Sequence, residues 1–287
     1  MLIRSIFTLP FWLAVSTAPM AAPALWQVSD EDSSVWLFGS VHLLPAETEW
    51  RSPLFDKVLS KAVRVYFETD VSMEAQMAVM PLSYELGFNR DGTLLSELIG
   101  EELTEKLRTA AGQYGIPMPM LLTMKPWMAA TTLSTGPLLD AGYEAPLGVE
   151  AVLSAELPDG HAGFLETPEE QLRFLASGSM EEQVAMLEAT IDTLHVLQID
   201  IDRMVDVWTR GEPESLGEIF TEQMGGYDHG MVERLIDDRN RNWVGQIEQM
   251  LEADEAALLV VGAAHLAGNA SVVRLLEARG YASKRVQ

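Results

Sequence analysis

Apolar positions in this chain follow two rhythms, short unbroken runs and stripes at three- and four-residue spacing. Residues 35–42 (VWLFGSVH) and 256–265 (AALLVVGAAH) are apolar runs rich in β-branched and aromatic side chains, each ending in a glycine, two small or aliphatic residues and a histidine. Runs of this kind suit strands buried on both faces. Residues 25–28 form a further short run, joined to the first by the polar stretch 29–34, which is a hairpin signature. Residues 63–67 predict another buried strand, closing on Glu68, and residues 163–166 a brief one closing on Glu166.

The stripes fill the intervals. Ser52-Pro53 opens a helix carrying Leu54, Phe55, Val58, Leu59 and Ala62 on one face. From 74 to about 139 the text is helical and rich in Met, Leu and Ala, which predicts a helical insertion over about 74–145. Its methionines read as gap-filling core. Thr167…Glu170 and Ser179…Glu182 are capping boxes. The second opens a predicted single helix bearing Val184, Leu187, Ile191, Leu194, Ile201, Val205 and Trp208, with Gln198 the one break in the stripe. A last long helix near 230–251 carries Val232, Ile236, Trp243, Ile247 and Met250, with Arg239 and Asn240 on or beside that stripe. A strand at 256–261, a helix at 269–279 and a final short strand complete the pattern. Together these predict an α/β fold in which a mixed, mainly parallel central sheet is flanked by helices, as one domain over 25–287.

Composition changes the picture at the amino terminus. Arg4, an apolar core at 6–15 and small residues at 18–24 predict a signal peptide over 1–24. The expected address is therefore secreted or periplasmic. The chain has no cysteine, so it can form no disulfide and must be held by its core, which 48% hydrophobic residues in 287 permit. No later stretch is apolar for long enough to span a membrane. The net charge of −24 argues against nucleic acid and anionic lipid as partners.

The strand ends carry the candidate chemistry. With 21 glycines and 5 histidines, roughly 0.4 G-x-x-H matches would arise by chance, and the chain has three. The third, Gly226 to His229, follows no strand and reads as a loop. His42, Glu68, Glu166 and His265 all fall at strand ends, where open α/β sheets place their sites. Two imidazoles with a carboxylate suit a divalent metal such as Zn, Mn or Co, with His42, His265 and Glu68 as ligands and a bound water as the working group. The bland reading, histidines bonding backbone at strand ends, carries equal weight on residue type alone. An inward Arg239 needs an anion, either a buried carboxylate or the substrate. Glu150, after Gly148-Val149, is given no role.

These residues resemble a known family. The opening LWQVSDEDSSVWLFGSVHLLP, then VYFETD, Lys125-Pro126-Trp127, Leu147-Gly148-Val149-Glu150, FLETPEEQL, Asp238-Arg239-Asn240 with Trp243, and VVGAAHLAGNASVVRLLEARGY together resemble the TraB/PrgY/GumN family, which includes the Tiki proteins. The resemblance implies the fold shared with erythromycin esterases and the haem-binding ChaN proteins. It also implies a divalent-metal-dependent, Tiki-like peptidase with His42, Glu68 and His265 at its centre and Arg239 and Asn240 in support. The alternatives are a non-catalytic binding protein for haem or a peptide, and a metal-free, esterase-like hydrolase. The substrate is expected to be a peptide or a small molecule.

Overall fold

The computed structural model describes residues 22–224 and 229–287. The expected signal peptide falls almost entirely outside them, as does most of the third G-x-x-H. A six-stranded sheet runs in the order β6-β4-β7-β2-β1-β8. Its parallel part comprises β2 (Ser34–Ser40), β4 (Arg64–Phe67), β6 (Ala162–Phe164) and β7 (Ala257–Gly262). At one edge β1 (Leu25–Ser29) pairs antiparallel with β2, and β8 (Ala282–Arg285) antiparallel with β1. A separate two-stranded ribbon joins β3 (Leu44–Pro45) to β5 (Tyr143–Glu144).

Side chains alternate across this sheet, as the two-residue strand period requires. Phe38, Val65, Phe67, Leu258 and Val260 pack on one side against α1 (Pro53–Leu59), α6 (Val149–Glu156), α9 (Leu197–Thr209) and α10 (Pro213–Met224). Val35, Leu37, Leu259 and Val261 pack on the other against α12 (Asp238–Glu252) and α13 (Val272–Ala278). All six residues of β7 are buried, which is why its run reads as continuously apolar. A third core lies among helices, built from α3 (Leu95–Gln113), α4 (Met118–Leu121), α5 (Pro126–Asp140) and α8 (Met180–Thr193). Two further helices are α2 (Met73–Gly87) and α7 (Pro168–Ala176), and short α11 (His229–Val232) precedes α12.

Local signals formed as their chemistry dictates. The Ser52 hydroxyl accepts the Phe55 amide to cap α1, and both capping boxes close, Thr167 with Glu170 and Ser179 with Glu182. Three expectations need correction. The single helix expected from 179 breaks into α8 and α9 at Leu194–Val196, because its halves serve different cores: Leu187 and Leu194 join the helical layer, whereas Val205, Val207 and Trp208 join the sheet. The last long helix is interrupted by a π-helical stretch, Glu233–Asp237, immediately before Arg239. Third, the methionines of the insertion are not uniformly core, since Met77 and Met80 on α2 are exposed. Among the described residues no helix is long and apolar enough to cross a membrane.

Candidate functional site

The four parallel strands point the same way, so their carboxyl ends share one sheet edge, and each delivers one side chain there. Glu68 directly follows β4 and Glu166 lies just past β6. His42 lies just beyond β2, and His265 sits in a 3-10 turn, Ala263–Leu266, directly after β7. Because β7 lies between β4 and β2, Gly262 at its end becomes the centre of the group. A methyl built on Gly262 would sit 3.0 Å from Glu68 Oε1, 3.5 Å from His42 Nε2 and 3.6 Å from His265 Cδ2. Glycine leaves that space open.

Each member is fixed by a different partner. Glu68 is buried, its Oε1 accepting the Gly262 amide at 2.7 Å and its Oε2 accepting Arg239 Nη2 at 2.5 Å and Gln171 Nε2 at 3.2 Å. Burial opposes its charge, but His265, Arg239, His42 and the Gly262 amide outweigh this and hold its pKa at about 2. Since His265 is itself neutral at neutral pH, Arg239, His42 and the amide supply that pull in practice. His265 is buried, and burial pushes its pKa down to about 3. Asn240 donates to the Ala270 carbonyl at 2.8 Å, so its Oδ1 faces His265 Nδ1 at 2.7 Å. That contact assigns the proton to Nδ1 and leaves the Nε2 lone pair directed to the site, where Nε2 lies 3.7 Å from Glu68 Oε1.

His42 is held the other way, by a carboxylate. Its Nδ1 donates to Glu150 Oε1 at 2.9 Å, and the Ser40 hydroxyl donates to the same oxygen. Burial favours the neutral ring, yet Glu150 and then Glu68 raise its pKa to about 9. The side chain is crowded at its base but 58% exposed. Water at the open edge screens the pair, so the upward direction is the physical point. Glu150 is the residue that sequence reasoning passed over. It lies on α6, whose amino-terminal Gly148 packs so tightly on the His42 carbonyl that a Cβ there would meet it at 2.0 Å. The signal was present in Leu147-Gly148-Val149-Glu150, but nothing in the sequence showed which histidine it would meet. Glu150 Oε2 and Thr69 Oγ1 are buried without a hydrogen-bond partner.

Arg239 ties the site together. Its Nε and Nη2 grip Glu166 at 2.8–3.0 Å, Nη2 also meets Glu68, and Nη1 donates to the Leu235 carbonyl and to His265 Nε2, both at 3.2 Å. All five N–H groups are thereby used, so none is left for a substrate carbonyl. The guanidinium lies 4.8 Å from the Trp243 ring centre, and the Trp243 indole N–H donates to Glu166 at 2.9 Å. Burial raises the Glu166 pKa against the pull of Arg239. A cavity of about 670 Å³ lies elsewhere, lined by Trp26, Glu214, Glu218, Leu266 and Arg274 among others, and none of His42, Glu68, Arg239 or His265 lines it.

The donor set fits a divalent ion in kind. Both imidazoles have Nδ1 tied to an oxygen, the second-sphere arrangement typical of ligating histidines, with His42 Nε2 facing Gly262 and His265 Nε2 3.7 Å from Glu68 Oε1. Among the described residues, however, no three His, Asp or Glu side chains are drawn together as a finished metal cage. Arg239 engages the His265 Nε2 lone pair and one oxygen of Glu68.

Fold and site thus define an α/β protein with a histidine–carboxylate–arginine centre at the carboxyl edge of a mainly parallel sheet. The chain belongs to the TraB/PrgY/gumN family, whose model matches residues 24–285. No curated protein and no solved structure matches it.

Proposed function

We propose that the protein is an exported hydrolase of peptide or small-molecule substrates, with a divalent ion (Mn, Co or Zn) held by His42 Nε2, Glu68 Oε1 and, once Arg239 Nη1 gives up that lone pair, His265 Nε2. The observation that carries this reading is the convergence of those three side chains about Gly262 at the sheet edge. A bound ion would supply a water of lowered pKa and an electrophile for a carbonyl. The chain's own residues do the positioning. Glu150 fixes the His42 ring, Asn240 fixes the His265 tautomer, and Arg239 helps keep Glu68 ionised and holds Glu68 and Glu166 in place. Glu68 stays a carboxylate at any ordinary pH, as a ligand must, and so low a pKa makes it a poor base. Arg239, Asn240 and Glu166 are positioning residues, because each is consumed by protein contacts.

One contact favours a second reading. Arg239 Nη1 to His265 Nε2 leaves that lone pair engaged, which suits a metal-free, esterase-like hydrolase in which His42 alone faces solvent. Metal analysis of purified protein and of His42→Ala, with a peptide-library cleavage assay in Mn or Co and in chelator, separates the two. The metal reading expects stoichiometric metal that His42→Ala loses, and cleavage that chelator stops. Cleavage that persists in chelator establishes the metal-free reading. No cleavage, no metal and a Soret band on adding haem would instead make the site a binding one.

A further inference from the structure

Helix α2 is apolar on nearly every side, a composition that normally requires burial. Here Ala75, Val79, Leu82 and Leu86 are half-buried, and the other side is open: Met73, Met77, Met80 and Tyr84 are 76%, 59%, 64% and 59% exposed. Their spacing of four, three and four places them on one face. Tyr84 extends the stripe by stacking on Phe88, ring centres 5.1 Å apart. A contiguous exposed stripe of this kind marks an interaction surface. Methionine suits one that must adapt to varied apolar side chains.

Two links tie the stripe to the candidate site. Only residues 69–72 separate Glu68 from the first turn of α2, which therefore lies within about 17 Å of it. Moreover, α2 packs against α7, and Gln171 of α7 donates to Glu68 Oε2. The amino-terminal end of α2, where the stripe begins, is thus held near the site. Charge then selects the occupant. Asp70, Glu74 and Glu85 border the stripe, α2 contains no Lys or Arg, and the chain carries −24 overall. A second copy or an anionic bilayer would bring like charge to this face. A polypeptide with apolar side chains flanked by Lys or Arg complements it.

We propose that α2 docks a basic, apolar segment of a polypeptide substrate beside the His42–Glu68–His265 centre. Cleavage after docking rests on the hydrolase reading, but docking itself needs no turnover. The test uses the full chain, its His42→Ala variant and the double variant Met77→Gln/Met80→Gln, glutamine being a good helix former. The probes are a fluorescein-labelled lysine–leucine peptide, its serine-for-leucine counterpart and its glutamate-for-lysine counterpart. The lysine–leucine peptide should bind the full chain and His42→Ala alike, and at least about ten-fold more weakly to the double variant, about 1.4 kcal/mol, with melting unchanged. The other two peptides should bind weakly, and bound peptide should protect Met73, Met77 and Met80 from oxidation. Equal affinity in the double variant overturns the proposal, as does tighter binding to phosphatidylcholine vesicles or a dimer that the double variant dissociates. Binding of this peptide without its cleavage would leave docking intact whatever the hydrolase test shows, whereas cleavage that ignores the double variant would sink docking alone.

Discussion

Arg239 and His42 are the two residues whose environments make firm demands. Arg239→Ala would strand Glu68 and Glu166 as buried charges without their partner, a loss of roughly 3–5 kcal/mol. Arg239→Lys should fail nearly as badly, because an ammonium cannot reproduce a fork shared by two carboxylates. Adding Glu166→Ala to Arg239→Ala should restore part of that loss; strictly additive losses in urea unfolding would show that the two do not act as a pair. His42 makes a pH prediction. Its folded pKa, held up by Glu150, lies at about 9 against an ordinary 6.5. Stabilisation from the charged pair is therefore full below about 6.5 and lost as pH rises through about 9. Glu68, held down at about 2, acts oppositely: its contribution is present above about 4.5 and lost as pH falls toward 2. Unfolding of metal-free protein at pH 6, 8 and 10 should thus show an alkaline loss that Glu150→Gln flattens. An identical alkaline slope in the variant would detach His42 from Glu150.

At the scale of elements, close backbone contacts hold the site's geometry. The α6 amino terminus rests on the turn after β2, where Gly148 faces the His42 carbonyl and the Val149 amide donates to the Val41 carbonyl at 3.1 Å. Gly148→Ala cannot fit without moving α6, and Glu150 with it, so a cost of about 1–3 kcal/mol or more is expected together with loss of site function. Gly245 in α12 is the control. A Cβ there meets nothing within 4 Å, so Gly245→Ala should stabilise by about 0.5–1 kcal/mol, as a glycine in a helix interior allows. Thermal melting of both variants checks the pair, and a Gly148→Ala protein as stable as the parent would refute the contact. The π-helical stretch before α12 belongs to this scale too. It ends just before the turn that carries Arg239, and no period in the sequence announced it.

At the scale of the whole molecule, parallel strand direction is what makes a single site from residues far apart in the chain. With β7 between β4 and β2, His42, Glu68 and His265 become neighbours across more than two hundred residues of sequence. Export belongs to this scale as a proposal. The basic start, apolar core and small-residue stretch of residues 1–24 predict a mature chain beginning at Leu25. Mass spectrometry of the protein from the periplasmic or secreted fraction tests this, and an intact Met1 there would refute it.

Sequence alone determined the strands of the main sheet, their order of charged and imidazole ends, and the caps, because those depend on local periodicity and short-range hydrogen bonds, but not the short β3–β5 ribbon. It therefore supplied the α/β class, and it named His42, Glu68, Glu166, Arg239, Asn240 and His265. It could not pair them. Whether Arg239 meets a carboxylate, a histidine or open water depends on which strands lie side by side, and that is set by packing of whole faces. The same limit hid Glu150, whose role exists only once α6 docks against β2. It also hid the break between α8 and α9, where one apolar stripe is divided between two cores. The exposure of Met73, Met77 and Met80 was likewise invisible, since an apolar helix reads the same in sequence whether or not another element covers it.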